Sequence, residues 1–292
     1  MAAERPTVSV IVPFTGSDAA LDRLVAALAS LRAAPGDELI VADNTPRAPV
    51  SRVTRAARVR VHRAAGVRAA GFARNCGARA GTGEWLVFVD ADTELHPTLL
   101  DAYFDPTPAA STAVLAGGIA DVTAAPTLPA RHSAARRHMS QAVTVRRTGS
   151  PYAQTANCAI RRSAFAAVGG FDETIRAGED ADLCFRLARA GWTIEERPGA
   201  LVGHRSRATL RALLTQLARH GSGAAWLNRR YPGEFPPPSP RDLAGRLRNA
   251  ALTSGAAMMR GEREPAAFAL LDLLSQSAFD GGRLLSNRAR ES

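Results

Sequence analysis

The sequence predicts an α/β protein, with a mixed, mainly parallel β-sheet flanked by helices and a C-terminal helical extension. Short apolar, β-branched runs recur through the first part of the chain, beginning with residues 7–14. Between them lie segments of helical periodicity such as residues 18–32, in which Leu21, Leu24 and Leu28 share one face. Strands that alternate with helices are typical of parallel sheets with right-handed crossovers, in which ligands bind at the carboxyl ends of the strands.

The other elements follow in order along the chain. Strands are predicted at residues 38–42, 58–62, 85–89, 112–122, 154–161 and 192–196, and helices at residues 67–80, 97–104, 179–190 and 209–219. Ser163 is the predicted N-cap of a short helical turn that ends at Gly169 and Gly170. Residues 124–151 are polar, rich in arginine and irregular, and a loop of this length is typical of a lid or a binding loop.

The region that follows the last of these helices has a different composition. Residues 232–240 are rich in proline and predict a semi-rigid linker between a first domain, residues 1–231, and a helical extension, residues 241–292. The extension mixes leucine and methionine with arginine. Two alternatives stay open for it: peripheral contact with an anionic membrane surface, or packing as a helical pair on the rest of the protein.

The composition excludes several classes of protein. The net charge is +10 and the basic excess is all arginine, but no nucleic-acid-binding motif accompanies it, so nucleic acid is not expected as a partner. The cysteines are odd in number and far apart, which predicts neither a disulfide framework nor a zinc site. A polar N-terminus that leads directly into a strand predicts no signal peptide, and no apolar run reaches about 18 residues. We therefore expect a cytoplasmic protein, peripheral at the inner face of the membrane if the extension binds lipid.

Acidic residues follow two of the predicted strands. Asp90 and Asp92 come directly after the apolar run at residues 85–89, where a turn can bring both toward one ligand. Carboxylates of this kind bind a divalent cation held by a diphosphate; the alternative is a solvated turn. Asp43 follows the strand at residues 38–42, where its carboxylate can accept a hydrogen bond from a base or a sugar, or can form an Asx-turn that ends the strand.

A second group of ionisable residues lies further along the chain. Glu179 and Asp180 begin a predicted helix, where a carboxylate can act as a base or can simply cap the helix. Asp182 lies on a different face of that helix and is expected to be structural. His204 follows a short apolar segment, and imidazole is an occasional ligand of manganese, although a lone histidine is more often a satisfied polar residue.

In their order along the chain, these motifs resemble the family 2 glycosyltransferases over about residues 7–225. The motifs that carry the resemblance are Gly71-Phe72-Ala73-Arg74-Asn75-Cys76-Gly77, Phe88-Val89-Asp90-Ala91-Asp92, Asn157-Cys158-Ala159-Ile160-Arg161-Arg162, Gly169-Gly170-Phe171-Asp172-Glu173 and Gly178-Glu179-Asp180-Ala181-Asp182-Leu183-Cys184-Phe185-Arg186. The resemblance implies a GT-A fold, a nucleoside-diphosphate sugar donor, Mn²⁺ or Mg²⁺, and inversion at the anomeric carbon. It also divides the first domain into a nucleotide-binding half, about residues 1–105, and an acceptor half, about residues 106–231.

The resemblance assigns roles residue by residue. Asp180 matches the catalytic base, and Glu179 lies beside it toward the acceptor or the donor sugar. Asp90 resembles the acid associated with ribose or metal. The metal ligands matched are Asp92 and His204, and the nucleotide-side residues are Pro13, Asp43 and Arg74.

Two positions depart from the family pattern. Members often carry two acids where this chain has Ala42 before the base-recognising Asp43. Residues 216–220 resemble the Q-x-x-R-W signature of processive synthases, but His220 replaces the tryptophan, so a non-processive enzyme is expected. Arg219 within this segment either faces the diphosphate or is a solvated helix arginine.

The resemblance therefore implies a hexosyltransferase-type enzyme that moves a sugar from a UDP-, dTDP- or GDP-sugar to a glycan, a lipid-linked acceptor or a small molecule. The alternative from another class is a non-catalytic nucleotide-sugar or glycan-binding module on the same fold. A nucleotidyltransferase is a further alternative, but the sequence after the first strand lacks the glycine-rich, basic loop that such enzymes usually carry.

Overall fold

The computed structural model describes residues 5–46, 58–122, 126–137 and 139–291. Its elements, in chain order, are β1 Val8–Phe14, α1 Asp18–Ala29, β2 Glu38–Asp43, β3 Val59–Arg63, β4 Val67–Arg68, α2 Ala70–Ala80, β5 Trp85–Val89, β6 Thr93–Leu95, α3 Leu99–Tyr103, β7 Thr112–Val122, α4 Leu128–Arg136, α5 Gln141–Val145, β8 Asn157–Arg161, α6 Arg162–Ala167, α7 Glu179–Arg189, β9 Thr193–Arg205, α8 Leu210–Arg230, α9 Pro240–Met259, α10 Arg263–Gly282 and β10 Arg290–Glu291.

Eight strands form one mixed sheet in the order β3-β2-β1-β5-β8-β7-β9-β6. Strands β3, β2, β1 and β5 are parallel, and β8 pairs antiparallel with both β5 and β7. The register places Phe14 beside Asp43 and Asp43 beside Arg63, so the carboxyl ends of β1, β2 and β3 are level. The predicted α/β fold class is confirmed.

The central strands are apolar on both faces because helices cover both faces. In β1 and β5, Val10, Val12 and Val87 pack into a core that includes α1 and α3. The alternate residues Ile11 and Phe88 pack into a second core, which includes α6 and α7. This burial on two faces accounts for the continuous apolar runs from which the strands were predicted.

Several predicted elements differ in the structure, among them the strand predicted at residues 192–196 and the helix predicted at residues 209–219, which continue to Arg205 and Arg230. The segment expected to be an irregular loop contains α4 and α5, which are too short for their periodicity to be read from the sequence; residues 124, 125 and 138 of that segment lie outside the described residues. The N-cap prediction at Ser163 is wrong, because α6 begins at Arg162 and Arg161 occupies the capping position. The helix predicted from residue 67 begins at Ala70, after the short strand β4.

The chain divides into two compact units. The first comprises Met1–Asp121, Met139–Arg205 and Arg288–Ser292, and the second comprises Val122–His138 and Ser206–Asn287. In the second unit α10 packs against α8, where Gly221 and Gly282 allow the two backbones to approach closely. The region after the proline-rich segment is helical, as expected. No helix in the described part of the chain is long and apolar enough to cross a bilayer.

Candidate active site

Asp43 lies at the carboxyl end of a strand in the first unit, as its position in the sequence predicts. Asp43 is the last residue of β2 and is almost fully buried. Its Oδ1 accepts the N–H of Thr45 at 2.9 Å, and Nη1 of Arg63 lies 3.8 Å from its Oδ2. The Asx-turn contact is therefore present at Asp43. Pro13, which pairs with Ala42 in the adjacent strand, lies one residue before the end of β1.

Asp90, Asp92 and His204 form a cluster that could hold a divalent cation. One potential ligand atom from each residue lies within 4.8 Å of those from the other two. A turn after β5 carries the two aspartates, and β6 then pairs with β9 so that Thr93 lies opposite His204. The pairing of these two strands brings the imidazole of His204 close to the two aspartates. The sequence alone did not show that these residues are close.

The donor set of this cluster fits a cation such as Mn²⁺. Both aspartates are partly exposed, whereas His204 is buried, with its Nε2 3.6 Å from Oδ1 of Asp92. The Nδ1 atom of His204 is buried and accepts or donates no hydrogen bond among the described residues. Two carboxylates and one imidazole are ligands that manganese accepts, and partial exposure leaves room for phosphate oxygens.

Arg74 connects this cluster to the predicted base motif. Its guanidinium is buried and donates from Nη2 to Oδ1 of Asp90 at 2.8 Å and from Nη1 to Oε1 of Glu179 at 2.9 Å. The guanidinium also lies 5.8 Å from the centre of the Phe171 ring. Asp90 of the cluster and Glu179 of α7 are therefore joined through one arginine, whose positive charge is shared by these two carboxylates.

The residues after Arg74 hold α2 in place. The Asn75 side chain makes two hydrogen bonds with the backbone of Phe171, donating to its carbonyl at 2.9 Å and accepting its N–H at 3.0 Å. At Gly77 a Cβ atom would lie 2.5 Å from Cγ2 of Ile11, so only glycine lets α2 lie this close to β1. The motif at residues 74–77 thus supplies both the arginine of the ion pairs and the contacts that hold α2 in place.

Asp180 lies in the first turn of α7, after Gly178 in a left-handed conformation. Its Oδ1 accepts the N–H of Ala181 at 2.8 Å. Burial and the adjacent charge of Glu179 raise the pKa of Asp180 from 3.8 to about 7, against the lowering effects of that backbone hydrogen bond and of Arg74. A carboxylate with such a pKa is a stronger base than an ordinary aspartate; it is about half ionised near neutral pH and largely ionised above it.

The other acids of this helix have different surroundings. Glu179 is buried and paired with Arg74. Asp182 is fully buried and accepts from Arg186 at 2.8 Å, and Arg186 also donates to the carbonyls of Val168 and Gly170. Asp182 is thus structural, as its position on the helix predicted.

Tyr152, whose phenol interacts electrostatically with Asp180, was not singled out from the sequence. The phenol of Tyr152 packs against Phe185, with ring centres 6.3 Å apart, and burial together with the charge of Asp180 raises its pKa. It comes from the segment between α5 and β8, and no motif marks it. Arg219, the remaining predicted site residue, lies on α8 in the second unit, whereas all the other predicted site residues lie in the first.

A cavity of about 480 Å³ lies against α2 but is lined by none of the predicted site residues. Its lining includes Asn75, Arg79, Arg162, Phe165 and Phe171. The acidic residues with potential chemistry lie elsewhere in the first unit.

A family model described as glycosyltransferase like family 2 matches residues 6–223. The chain belongs to this family. It is 31% identical over 237 residues to the pre-mycofactocin glycosyltransferase of Mycobacterium tuberculosis, an alignment that covers 79% of this chain and 49% of that protein. It is 40% identical over 91 residues, 30% of each chain, to the N-acetylglucosaminyl-diphospho-decaprenol L-rhamnosyltransferase of the same species. The chain thus spans about half the length of the first of these relatives.

Solved structures of glycosyltransferases share the fold of this family member. The mannosyltransferase PcManGT from Pyrobaculum calidifontis, in complex with GDP-Man and Mn²⁺, superposes with a TM-score of 0.59 at 16% identity, covering 94% of this chain and 87% of its own. Glucosyl-3-phosphoglycerate synthase from Mycobacterium tuberculosis, in complex with Mn²⁺, UDP and glucosyl-3-phosphoglycerate, gives a TM-score of 0.51 at 19% identity, covering 77% of this chain and 80% of its own. At these identities the likeness establishes the fold, which is GT-A, as the sequence resemblance implied.

Proposed function

We propose that this chain transfers a sugar from a nucleoside-diphosphate sugar to an acceptor hydroxyl, with inversion at the anomeric carbon and with a requirement for a divalent cation. The observation that supports the proposal is the line of contacts from Asp90 through Arg74 to Glu179: one buried arginine binds an acid of the cluster that could hold a cation and the neighbour of Asp180, whose pKa is raised to about 7. Membership of a family whose named relatives are glycosyltransferases supports it.

The proposed chemistry divides the site into two parts. Asp90, Asp92 and His204 would hold the cation, which neutralises charge on the diphosphate leaving group. On the other side, Asp180 accepts the proton of the acceptor hydroxyl while that oxygen attacks the anomeric carbon. The bond to the diphosphate breaks as the new glycosidic bond forms, so a single displacement inverts the centre and no covalent enzyme intermediate is needed.

The contacts of the two adjacent acids favour Asp180 over Glu179 as the base. Glu179 is buried and bound to Arg74 at 2.9 Å, so protonating it would leave the arginine with one carboxylate partner fewer. Asp180 has no arginine within ion-pair distance in the described structure, and its pKa is raised toward neutrality. In this arrangement Glu179 and Arg74 are positioning residues for the base and for Asp90.

Names of the similar proteins suggest the range of substrates. The two structural neighbours are complexes with GDP-Man or UDP and with Mn²⁺. Of the two relatives, one is named for pre-mycofactocin and the other for a diphospho-decaprenol acceptor. We propose a UDP-, dTDP- or GDP-sugar as donor, Mn²⁺ or Mg²⁺ as cation, and a small-molecule, glycan or lipid-linked acceptor, with Asp43 toward the base of the nucleotide.

The test measures donor binding and turnover separately. The full chain is titrated with UDP, dTDP and GDP by calorimetry, with Mn²⁺ or with EDTA, and release of nucleoside diphosphate is followed from a panel of UDP-, dTDP- and GDP-sugars with candidate acceptors. We expect cation-dependent binding of one nucleotide and cation-dependent turnover of its sugar. Cation-dependent binding with no turnover above that of Asp180→Asn would favour the non-catalytic module. Failure of every nucleotide to bind would contradict both functions.

A further inference from the structure

The positive charge of the chain is concentrated in its second unit. Val122–His138 and Ser206–Asn287 together contain fourteen arginines and six acidic residues, a net charge of +8 out of +10 for the whole chain. The first unit, which holds the candidate active site, is therefore nearly neutral. Arginine is spread over both units in similar proportion, and the difference in net charge arises because twenty-one of the acidic residues lie in the first unit and six in the second.

Exposed apolar side chains are concentrated in the same unit. Ten of the twelve large hydrophobic side chains that are exposed in the described structure belong to it. They are Leu210, Leu243, Leu247, Leu252, Met258, Met259, Leu270, Leu274, Leu284 and Leu285. Scattered exposed leucines are ordinary, but a concentration of them in one unit indicates an interaction surface.

Helix α9 combines both properties. It packs on α10 yet buries only Ala250 and Ala257. Its exposed side includes Leu247 and Met259, whose exposed fractions are 58% and 86%, together with Arg241 and Arg248. At 3.6 residues per turn, Arg241, Arg248 and Met259 lie in nearly one column along the helix.

The acids of this region are already engaged. Asp242 accepts hydrogen bonds from the N–H and the hydroxyl of Ser239 in a capping box, and those bonds lower its pKa. On α10, Asp280 pairs with Arg246, and Asp272 with Arg136. Within the part of the chain that the structure describes, Arg241 and Arg248 have no carboxylate within ion-pair distance. These two guanidinium groups are therefore available to an external anion.

We propose that the exposed side of α9 is a docking surface for an anionic lipid bilayer. Leucine and methionine side chains enter the acyl boundary of a bilayer, and arginines beside them contact lipid phosphates while their stems cover apolar surface. Nucleic acid fits less well, because α9 contains no aromatic residue on which a base could stack. The proposal is independent of the proposed transfer reaction, since it concerns another unit and its test needs no turnover.

The experiment measures co-sedimentation of the full chain with vesicles of 70% phosphatidylcholine and 30% phosphatidylglycerol, and with pure phosphatidylcholine. We expect binding to the anionic vesicles, little binding to the neutral ones, and release when the salt concentration is raised. Leu247→Ser/Met259→Ser should weaken the partition coefficient about tenfold. The matched control Val143→Ser/Leu201→Ser removes two exposed apolar side chains of the first unit and should leave binding unchanged.

A second pair of variants tests the charge separately. Arg241→Glu/Arg248→Glu should weaken binding to anionic vesicles at least about tenfold, whereas Arg23→Glu/Arg32→Glu, which makes the same change in net charge on the first unit, should have a much smaller effect. All the residues changed in this pair are exposed, so the variants should fold, which circular dichroism checks.

Three results would overturn the proposal. One is absence of binding to anionic vesicles by the unmodified chain. Another is equal loss of binding in the variants of α9 and in their controls, which would indicate a non-specific effect of charge or apolar area. The third is a dimer in sedimentation velocity that Leu247→Ser/Met259→Ser dissociates while vesicle binding is absent, which would assign the surface to a second copy of the chain.

Discussion

Replacing Asp180 by asparagine should abolish transfer and at the same time stabilise the protein at alkaline pH. The side chain keeps its shape and its place at the start of α7, but it can no longer ionise. Because burial and Glu179 raise the pKa of Asp180 to about 7, the folded state binds a proton more readily than the unfolded chain does. The stability of the wild type should therefore fall as pH rises from about 4 to about 7, and it should then level off.

The size of this effect follows from the two pKa values. The difference between the ordinary pKa of 3.8 and the value of about 7 corresponds to at most about 4 kcal/mol in the free energy of unfolding, at about 1.4 kcal/mol per pKa unit. Asp180 is partly exposed, so solvent reduces the cost of the buried charge, and we expect about 1–3 kcal/mol. For a chain of this size that gain raises the melting temperature by roughly 2–10 °C at pH 8. At pH 4.5, less than one unit above the pKa of Asp180 in the unfolded chain, the gain should be smaller, about 1 kcal/mol or less.

The assay compares wild type and Asp180→Asn by urea unfolding at pH 4.5 and pH 8 in EDTA, and by donor turnover with cation at pH 8. Turnover should fall about 10²–10⁴-fold, while cation-dependent binding of the nucleoside diphosphate should be nearly unchanged. Asp182→Asn is the matched control: it breaks a buried pair with Arg186 and should destabilise the protein at both pH values. A variant no more stable than wild type at pH 8, or one with turnover within a few-fold of wild type, would refute the reasoning.

The remaining predictions concern the cation, the central arginine and the packing of α2. Asp92→Ala should weaken calorimetric binding of nucleoside diphosphate in Mn²⁺ but not in EDTA, and His204→Ala should show a milder form of the same defect; unchanged affinity in both would move the cation site elsewhere. Arg74→Lys keeps the charge but cannot donate to both Asp90 and Glu179 with one planar fork, so kcat should fall at least about tenfold and the unfolding midpoint should also fall, because a buried ion pair is weakened. Wild-type kcat would contradict this role. Gly77→Ala should destabilise the fold by about 1–3 kcal/mol, because the added methyl group would clash with Ile11. An unchanged midpoint in urea unfolding would show that α2 shifts to accommodate the methyl group without cost.

Local patterns in the sequence were sufficient to predict most of the sheet and to single out the acidic residues of the candidate site. Strand β5 is a continuous apolar run that ends in Asp90, and its bounds agree with the prediction because both faces of the strand are buried. Asp180 could be identified because a carboxylate at the N-terminus of a helix is recognisable from neighbouring residues alone. Such features depend on residues a few positions apart, which periodicity and family motifs describe well.

Tertiary structure decided how those pieces meet. Arg74 and Glu179 are 105 residues apart in the chain, and only the packing of α2 beside α7 makes them an ion pair. His204 reaches the acids because β9 runs on to Arg205 and pairs with β6, a three-residue strand too short to predict. The raised pKa of Asp180 likewise depends on burial, which no local pattern encodes.

The division into units also lies beyond the sequence. The proline-rich segment suggested a boundary at residue 231, a prediction that stays open, whereas the contacts group α8 with α9, α10 and α4. Composition along the chain marks changes in residue type, but a compact unit is defined by which surfaces bury each other. By itself the sequence determined the elements, the acids and the family; the pairing of distant segments determined the site, because non-local contacts are set by the packing of the whole chain.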